Sequence, residues 1–307
     1  MSQPSQVSQA KVRQNPGKSR TPSLGTISQA SPRRPRSHIW IHMALIVLSA
    51  GFLLPIIYTL SLSFSGQGGL VSSSLGLIPE KLTLENYRII LMDKPFFQWF
   101  GNSALLALGT VFFALVVAVP SAWAFSRFRF PGRRGLLYLF LLLNAFPSIL
   151  SMVAIYRLFR TFGLMNSYLG LMMVYTGMMI IFAIWNMKGY FDTISISLEE
   201  AARIEGAGTL RILATVSLPL ALPAVIVTSV LIFITTWNEY IYAVSFLTSQ
   251  DKFTLAAGLY SLQGTQYTTN WPVFTAGAVI VTIPVLIVFF LIQRFMVGGL
   301  TAGGSKY

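Results

Sequence analysis

Few side chains in this chain are equipped for chemistry, and their scarcity narrows what it can be. In 307 residues there are nine Asp and Glu, two His and no Cys. Disulfides and Cys-based zinc sites are therefore excluded, although no compartment is identified by that. His38 and His42 stand at i and i+4 at the edge of an apolar run with no acid nearby, which favours interfacial packing over metal binding. No Ser–His–Asp set and no paired carboxylates in a plausible cleft can be assembled. Gly299 to Gly304 has the G-x-x-x-x-G half of a phosphate-binding loop, but Ser305 follows where Lys is needed and no strand–loop–helix context exists. The expectation is a chain with no catalytic site and no cofactor of its own.

Two places remain where polar residues gather for a reason. The first is "SLEEAARIEGAGTLRILATVSLPLALP", Ser197 to Pro223, which sets three carboxylates and two arginines between long apolar runs. Ser197 and Glu200 have the S-x-x-E spacing of a capping box, so the spacing predicts a short helix starting there. Leu198, Ala202 and Glu205 would share one of its faces. Gly206 and Gly208 would end it or allow close approach beside Ala207, and Pro219 and Pro223 would break the chain before the next apolar run. The predicted object is a helix–turn–helix knob whose small residues, Ala201 and Ala202 among them, suit another protein's groove. The bland alternative is an ordinary well-capped loop.

The second place is "TTWNEYIYAV", 235–244, where Glu239 stands near the end of an apolar run. An acid there either lines a cavity and pairs, or sits at the water interface in an aromatic belt with Trp237, Tyr240 and Tyr242. Both readings stay open at this point. Trp237 and Trp271 are also placed where an indole could stack on the ring of a ligand.

The elements that must position these residues are membrane helices. The composition is 54% hydrophobic and only 10% charged, against about a quarter charged for a soluble domain. Six stretches reach the roughly 20 apolar residues that a bilayer core requires, near 39–64, 99–125, 136–156, 167–187, 221–243 and 273–293. Gly163 and Asn166 supply the turn between the third and fourth. The segment 188–220 then forms the loop that carries the knob. The net charge of +13 reads as membrane topology rather than nucleic-acid binding, because most basic residues flank apolar runs. With the N-terminus inside, sixteen Lys and Arg fall on the inner side and six on the outer. Both termini and the knob are then cytoplasmic. Residues 1–38 hold seven Lys or Arg, no acid and many Ser, Gln and Pro, and are expected to be a disordered basic tail rather than a cleaved leader.

Glu200-Ala201-Ala202, three residues, Gly206-Ala207 and then Leu218-Pro219 resembles the EAA loop of ABC importer permeases. The resemblance departs at Ser195, where many carbohydrate members carry Pro. "LTLENYRIIL" (82–91), "TTWNEYIYAV" and the C-terminal "QRFMVGGLTAGGSKY" (293–307) look like the matching segments of sugar permeases, in particular the smaller permease of maltose/maltodextrin-type importers. The resemblance covers about residue 39 to the end.

It implies an all-α integral membrane protein of type I importer architecture with six transmembrane helices. It also implies the partners: a homologous larger permease, two cytoplasmic ATPase subunits that bind ATP and Mg, and an extracytoplasmic sugar-binding protein. Ser197, Glu200, Ala201, Ala202, Glu205, Gly206, Ala207 and Pro219 would couple to an ATPase subunit. Trp237, Asn238 and Glu239 would belong to the outer gate, and Gly303, Gly304 and Lys306 to a tail reaching the ATPase interface. The function implied is sugar import across a bacterial inner membrane. An ion-coupled secondary carrier is the alternative, and it would need mid-membrane ionisable groups that the spans lack. A non-transporting scaffold would leave the loop unexplained.

Overall fold

Apolar runs interrupted by Pro and Gly become helices that bend or stop at those residues. The computed structural model of the chain describes residues 39–66, 79, 81–264 and 269–302, with the side chains of Ser148 and of 294–302 excepted. The expectations for residues 1–38 and for Gly303, Gly304 and Lys306 lie outside the described residues. Among the described residues, 39–50 fall in one unit and those from 51 onward in another. Helix α1 is Ile39–Ser63, 25 apolar residues with Pro55 inside. Within the first unit its large side chains, Trp40 and Val47 among them, are exposed.

The second unit is helical throughout its described part, apart from one isolated bridge between Ser65 and Leu82. Four helices among the described residues are long and apolar enough to cross a membrane, or up to six if each of two bent pairs is one span. Helix α2 is Phe96–Arg127, 32 residues. It buries a stripe of small side chains, Ser103, Ala107, Thr110, Ala114, Ala118 and Ala122, at intervals of three or four. Small residues at that spacing let helix backbones approach closely where lipid supplies no hydrophobic drive between helices. The facing side is α5, Tyr168–Phe191, which contributes Leu171, Tyr175, Ala183, Met187 and Phe191 to the shared core.

The third expected span, 136–156, falls on a bent pair of helices that counts as one span only if the two cross together. Two helices occupy it, α3 (Arg133–Asn144) and α4 (Ser148–Phe162), bent 96° from one another. Pro147 is the cause: its ring lacks a donor N–H and pushes the residue before it out of the helical region. Gly132 at φ 83° starts α3, and Gly163 at φ 67° ends α4. Asn166, at φ 54°, then turns the chain, and Ser167 caps α5 by accepting from the Gly170 N–H.

After α5 come α6 (Ile196–Ile204) and α7 (Thr209–Leu220). The stretch Leu213–Ser217 within α7 is a π-type wide turn. Its backbone bonds reach one residue further than in an α-helix. Helix α8 is Leu222–Asn238, bent 78° from α7 at Ala221. It ends at Asn238, short of the expected 243, because Glu239 is extended (φ −72°, ψ 125°). The next segment holds α9 (Ile241–Phe246) and α10 (Leu255–Ser261), followed by α11, Trp271–Ala302, containing Pro284. Gly258 of α10 lies so close to the Trp99 indole that a β-carbon there would come within 2.3 Å of it.

Candidate functional site

The knob forms as a short helix, but its N-terminus is not built as the spacing predicted. Helix α6 starts at Ile196, so Ser195 is the N-cap and Ser197 sits in the first turn. Ser195 makes no side-chain cap bond; its Oγ meets the Ser197 Oγ at 2.7 Å. The Ser197–Glu200 capping box is therefore absent. The C-terminus follows the glycine expectation closely. The Gly206 N–H donates to the Arg203 carbonyl and the Ala207 N–H to the Ala202 carbonyl, each at 3.0 Å, with Gly206 at φ 88°. These two bonds make a Schellman motif, which needs a left-handed residue where Gly206 stands.

The buried face of the knob centres on Glu199. Leu198 and Glu205 are exposed, Ala202 and Ala207 are half-buried against the core, and Glu199 is 3% exposed. The Glu199 Oε1 accepts from Ser217 Oγ at 2.7 Å, Arg127 Nε at 2.9 Å and Trp123 Nε1 at 3.2 Å. The Arg127 guanidinium also donates to the Ile194 carbonyl and to Ser126 Oγ, each at 3.0 Å. Ser126 Oγ donates in turn to Asp192, whose other oxygen receives Lys188 Nζ, both at 2.6 Å.

Asp192 lies just past α5. Burial raises its carboxyl pKa, but the hydrogen bonds from Lys188 and Ser126 and the charges of Lys188 and Arg133 outweigh that and hold it below the usual range. Sequence reading singled out Glu200 and passed over Glu199 and Arg127. The one available signal was position: Glu199 lies three residues before Ala202, on the side that packs inward.

What remains exposed on the knob is a mixed surface. Glu200, Ala201, Glu205 and Gly206 are open to solvent, and so are the apolar Ile196, Leu198, Ile204 and Leu210. Leu210 and Ile204 are 79% and 89% exposed, an unusual state for large aliphatic side chains outside a lipid layer. Pro219 is exposed in the last turn of α7, before the bend at Ala221.

At the other polar place the aromatic expectation is corrected. Trp237 is 2% exposed and does not belong to a belt or to a stacking surface. Its Nε1 donates to the Val281 carbonyl at 3.1 Å, and its ring packs on Phe233 and edge-on to Phe100. Asn238 is exposed, with its amide bonded back to the Ile234 carbonyl at 2.9 Å. Glu239 is half-buried and has several donors. Tyr175 Oη reaches its Oε2 at 2.5 Å, and the backbone N–H groups of Tyr242 and Ala243 donate at 3.0 and 3.3 Å. The carboxylate thus caps α9 and ties it to α5. Trp271 is half-buried, edge-on to Phe274.

The loop after α9 is held from two directions. Asn166 Oδ1 accepts from the N–H groups of Thr248 and Ser249, and its own carbonyl accepts Lys252 Nζ at 2.7 Å. Asn102 donates to the Asp251 and Phe253 carbonyls at 2.9 Å, and Ser103 Oγ accepts the Leu255 N–H at 2.8 Å.

A bundle of apolar helices with a charged, Schellman-capped knob between its fourth and fifth apolar runs has the features of a multi-pass permease. The chain belongs to the family described as binding-protein-dependent transport system inner membrane component, whose pattern matches residues 110–300. It is 33% identical over 271 residues to the galactooligosaccharides transport system permease protein GanQ of Bacillus subtilis, covering 87% of this chain and 95% of that protein. It is 32% identical over 302 residues to the maltose/maltodextrin transport system permease protein MalG of Escherichia coli, covering 91% of this chain and 100% of that one. A solved bacterial ABC transporter involved in the import of the acidic polysaccharide alginate has a chain that superposes with a TM-score of 0.73 at 29% identity, over 86% of this chain and 99% of that one.

Proposed function

We propose that the chain is one permease subunit of an ATP-driven importer of oligosaccharides, with maltose or maltodextrin the first candidates. The observation that carries this is the exposed knob, with its apolar Leu198, Ile204 and Leu210 beside Glu200 and Glu205. Full-length relatives named for maltodextrin and galactooligosaccharide transport support the substrate class. A homologous larger permease completes the translocation pathway. Two ATPase subunits bind ATP and Mg, and an extracytoplasmic sugar-binding protein delivers the cargo. The excess of Lys and Arg on one side supports cytoplasmic termini and a cytoplasmic knob, and the family supports a location in a bacterial inner membrane.

In this reading the knob docks into a cleft of an ATPase subunit through the surface of Glu200, Ala201 and Gly206. Closure of the ATPase dimer on ATP moves the knob, and the spans turn the pathway outward to receive sugar. Glu239, held by Tyr175, belongs to the outer gate. The tail around Gly303, Gly304 and Lys306 reaches the ATPase interface. Deleting residues 302–307 then changes the ATPase rate and leaves membrane insertion intact, since topology is set upstream.

The test is a competition panel on the reconstituted complex with its ATPase and binding protein. Labelled maltodextrin uptake that needs ATP and is displaced by related oligosaccharides is expected. Uptake driven by a proton or sodium gradient without the ATPase would overturn the reading.

A further inference from the structure

The buried Glu199 network has a geometry that docking does not require. Glu199 is almost wholly enclosed, so no partner subunit can reach it, and the exposed acid beside it is Glu200. An ion pair in such a place is poor evidence of stability, because well-packed apolar side chains of similar volume often serve as well or better. What a buried pair does fix is relative position. Here one carboxylate oxygen gathers donors from α2 (Trp123 and Arg127) and from the wide turn of α7 (Ser217). Arg127 then passes the connection to the Asp192–Ile194 connector and, through Ser126 and Asp192, to Lys188 of α5.

Without this clamp the knob would be held by its two connectors, one of them carrying the exposed Gly206 and Gly208, and by the packing of Ala202 and Ala207 on the core. With it, the knob and the inner ends of α2 and α5 form one body. Helix α2 is long enough to use that attachment. Its 32 residues span about 48 Å, from Arg127 at the knob to the outer end. There Asn102 and Ser103 hold the backbone of Asp251, Phe253 and Leu255. The same continuous helix, which contains Pro120, is thus bonded to the knob at one end and to the outer loop at the other.

We infer that Glu199 and Arg127 are positioning residues that clamp the knob to α2, so that knob movement reaches the outer face through the second span as well as through the α7–α8 bend. This rests on the proposed importer function.

The test is the ratio of sugar transported to ATP hydrolysed by the reconstituted complex carrying Glu199→Gln, which keeps the shape and removes the charge. Co-purification of the ATPase is measured on the same sample. Expected are retained ATPase subunits and a ratio lowered roughly tenfold, within the range of a typical coupling energy. Ser217→Ala, which removes one donor, gives the same direction with a smaller loss and serves if the first variant is not recovered. A wild-type ratio in an assembled variant overturns the clamp. Failure of both variants to assemble also overturns it, since the network would then hold the fold and not the coupling. Failure of the wild-type chain to retain any ATPase would instead overturn the importer reading.

Discussion

Tyr175 on α5 donates its phenolic hydrogen bond to Glu239, in the extended break after α8, across 2.5 Å. This one contact joins two spans at the point where the second of them stops being helical. It also orients the carboxylate to cap the first N–H groups of α9. If that junction is part of the outer gate, weakening it shows in turnover.

For Glu239→Gln, charge-assisted bonds become neutral ones and the junction loses about 1 kcal/mol. ATPase activity of the reconstituted complex should rise in the absence of binding protein. Tyr175→Phe removes one donor and should act in the same direction. Wild-type activity with and without binding protein in both variants would remove Glu239 from the gate.

Gly206 is left-handed, and a non-glycine residue there costs roughly 1–2 kcal/mol. Beyond its immediate chain neighbours nothing lies within 4 Å of a β-carbon built at Gly206, so the cost is conformational within the chain. Gly206→Ala should lower ATPase co-purification modestly. Gly206→Asp should lower it more, by adding an unpaired charge to the docking surface. Equal retention by both variants and wild type would detach the knob from docking.

Gly258 and Gly177 make a contrasting pair. Alanine at Gly258 drives a methyl into the Trp99 ring, and overpacking of that kind costs about 1–3 kcal/mol. Alanine at Gly177 meets nothing within 4 Å. Thermal unfolding in detergent should show a lower midpoint for Gly258→Ala and none of that loss for Gly177→Ala.

Asp192 sets an acid limit. Its pKa is held below the ordinary value in the folded chain, so it contributes stability above its unfolded pKa, and that contribution is lost as pH falls through the folded one. The charged groups facing it are Lys188 and Arg133. Midpoints measured from neutral pH down to about pH 3 should fall more steeply for wild type than for Asp192→Asn. Parallel profiles would show that the carboxylate is not linked to folding.

Composition and run length were enough to read an all-helical membrane chain, because long apolar runs can only span as helices, while the family was legible only through the resemblance carried by Glu200-Ala201-Ala202, Gly206-Ala207 and Leu218-Pro219. Gly163, Asn166 and Gly206 were legible as turns since their backbone requirements are local. What sequence spacing could not resolve was which of two adjacent acids faces inward. Glu199 and Glu200 differ by about 100° around a helix axis, and only the packing of α2 against the knob decides between them. The S-x-x-E pattern misled as well: the N-cap lies two residues earlier, at Ser195, and the helix starts at Ile196. Trp237 read as interfacial because it stands near the end of an apolar run, yet its carbonyl partner is 44 residues away in sequence on α11. Pro147 was visible, but a long apolar run outweighed it.

The wide turn at Leu213–Ser217 makes chain length part of the specification. It holds one residue more than a regular helix would over the same rise. Deleting a single residue there would leave a perfectly acceptable α-helix and an almost unchanged composition. It would also rotate everything upstream by about 100° relative to α8, carrying Glu199 and Ser217 out of register with one another. An alignment that places a gap in this turn therefore marks a protein whose knob is attached by different side chains, however similar its remaining residues.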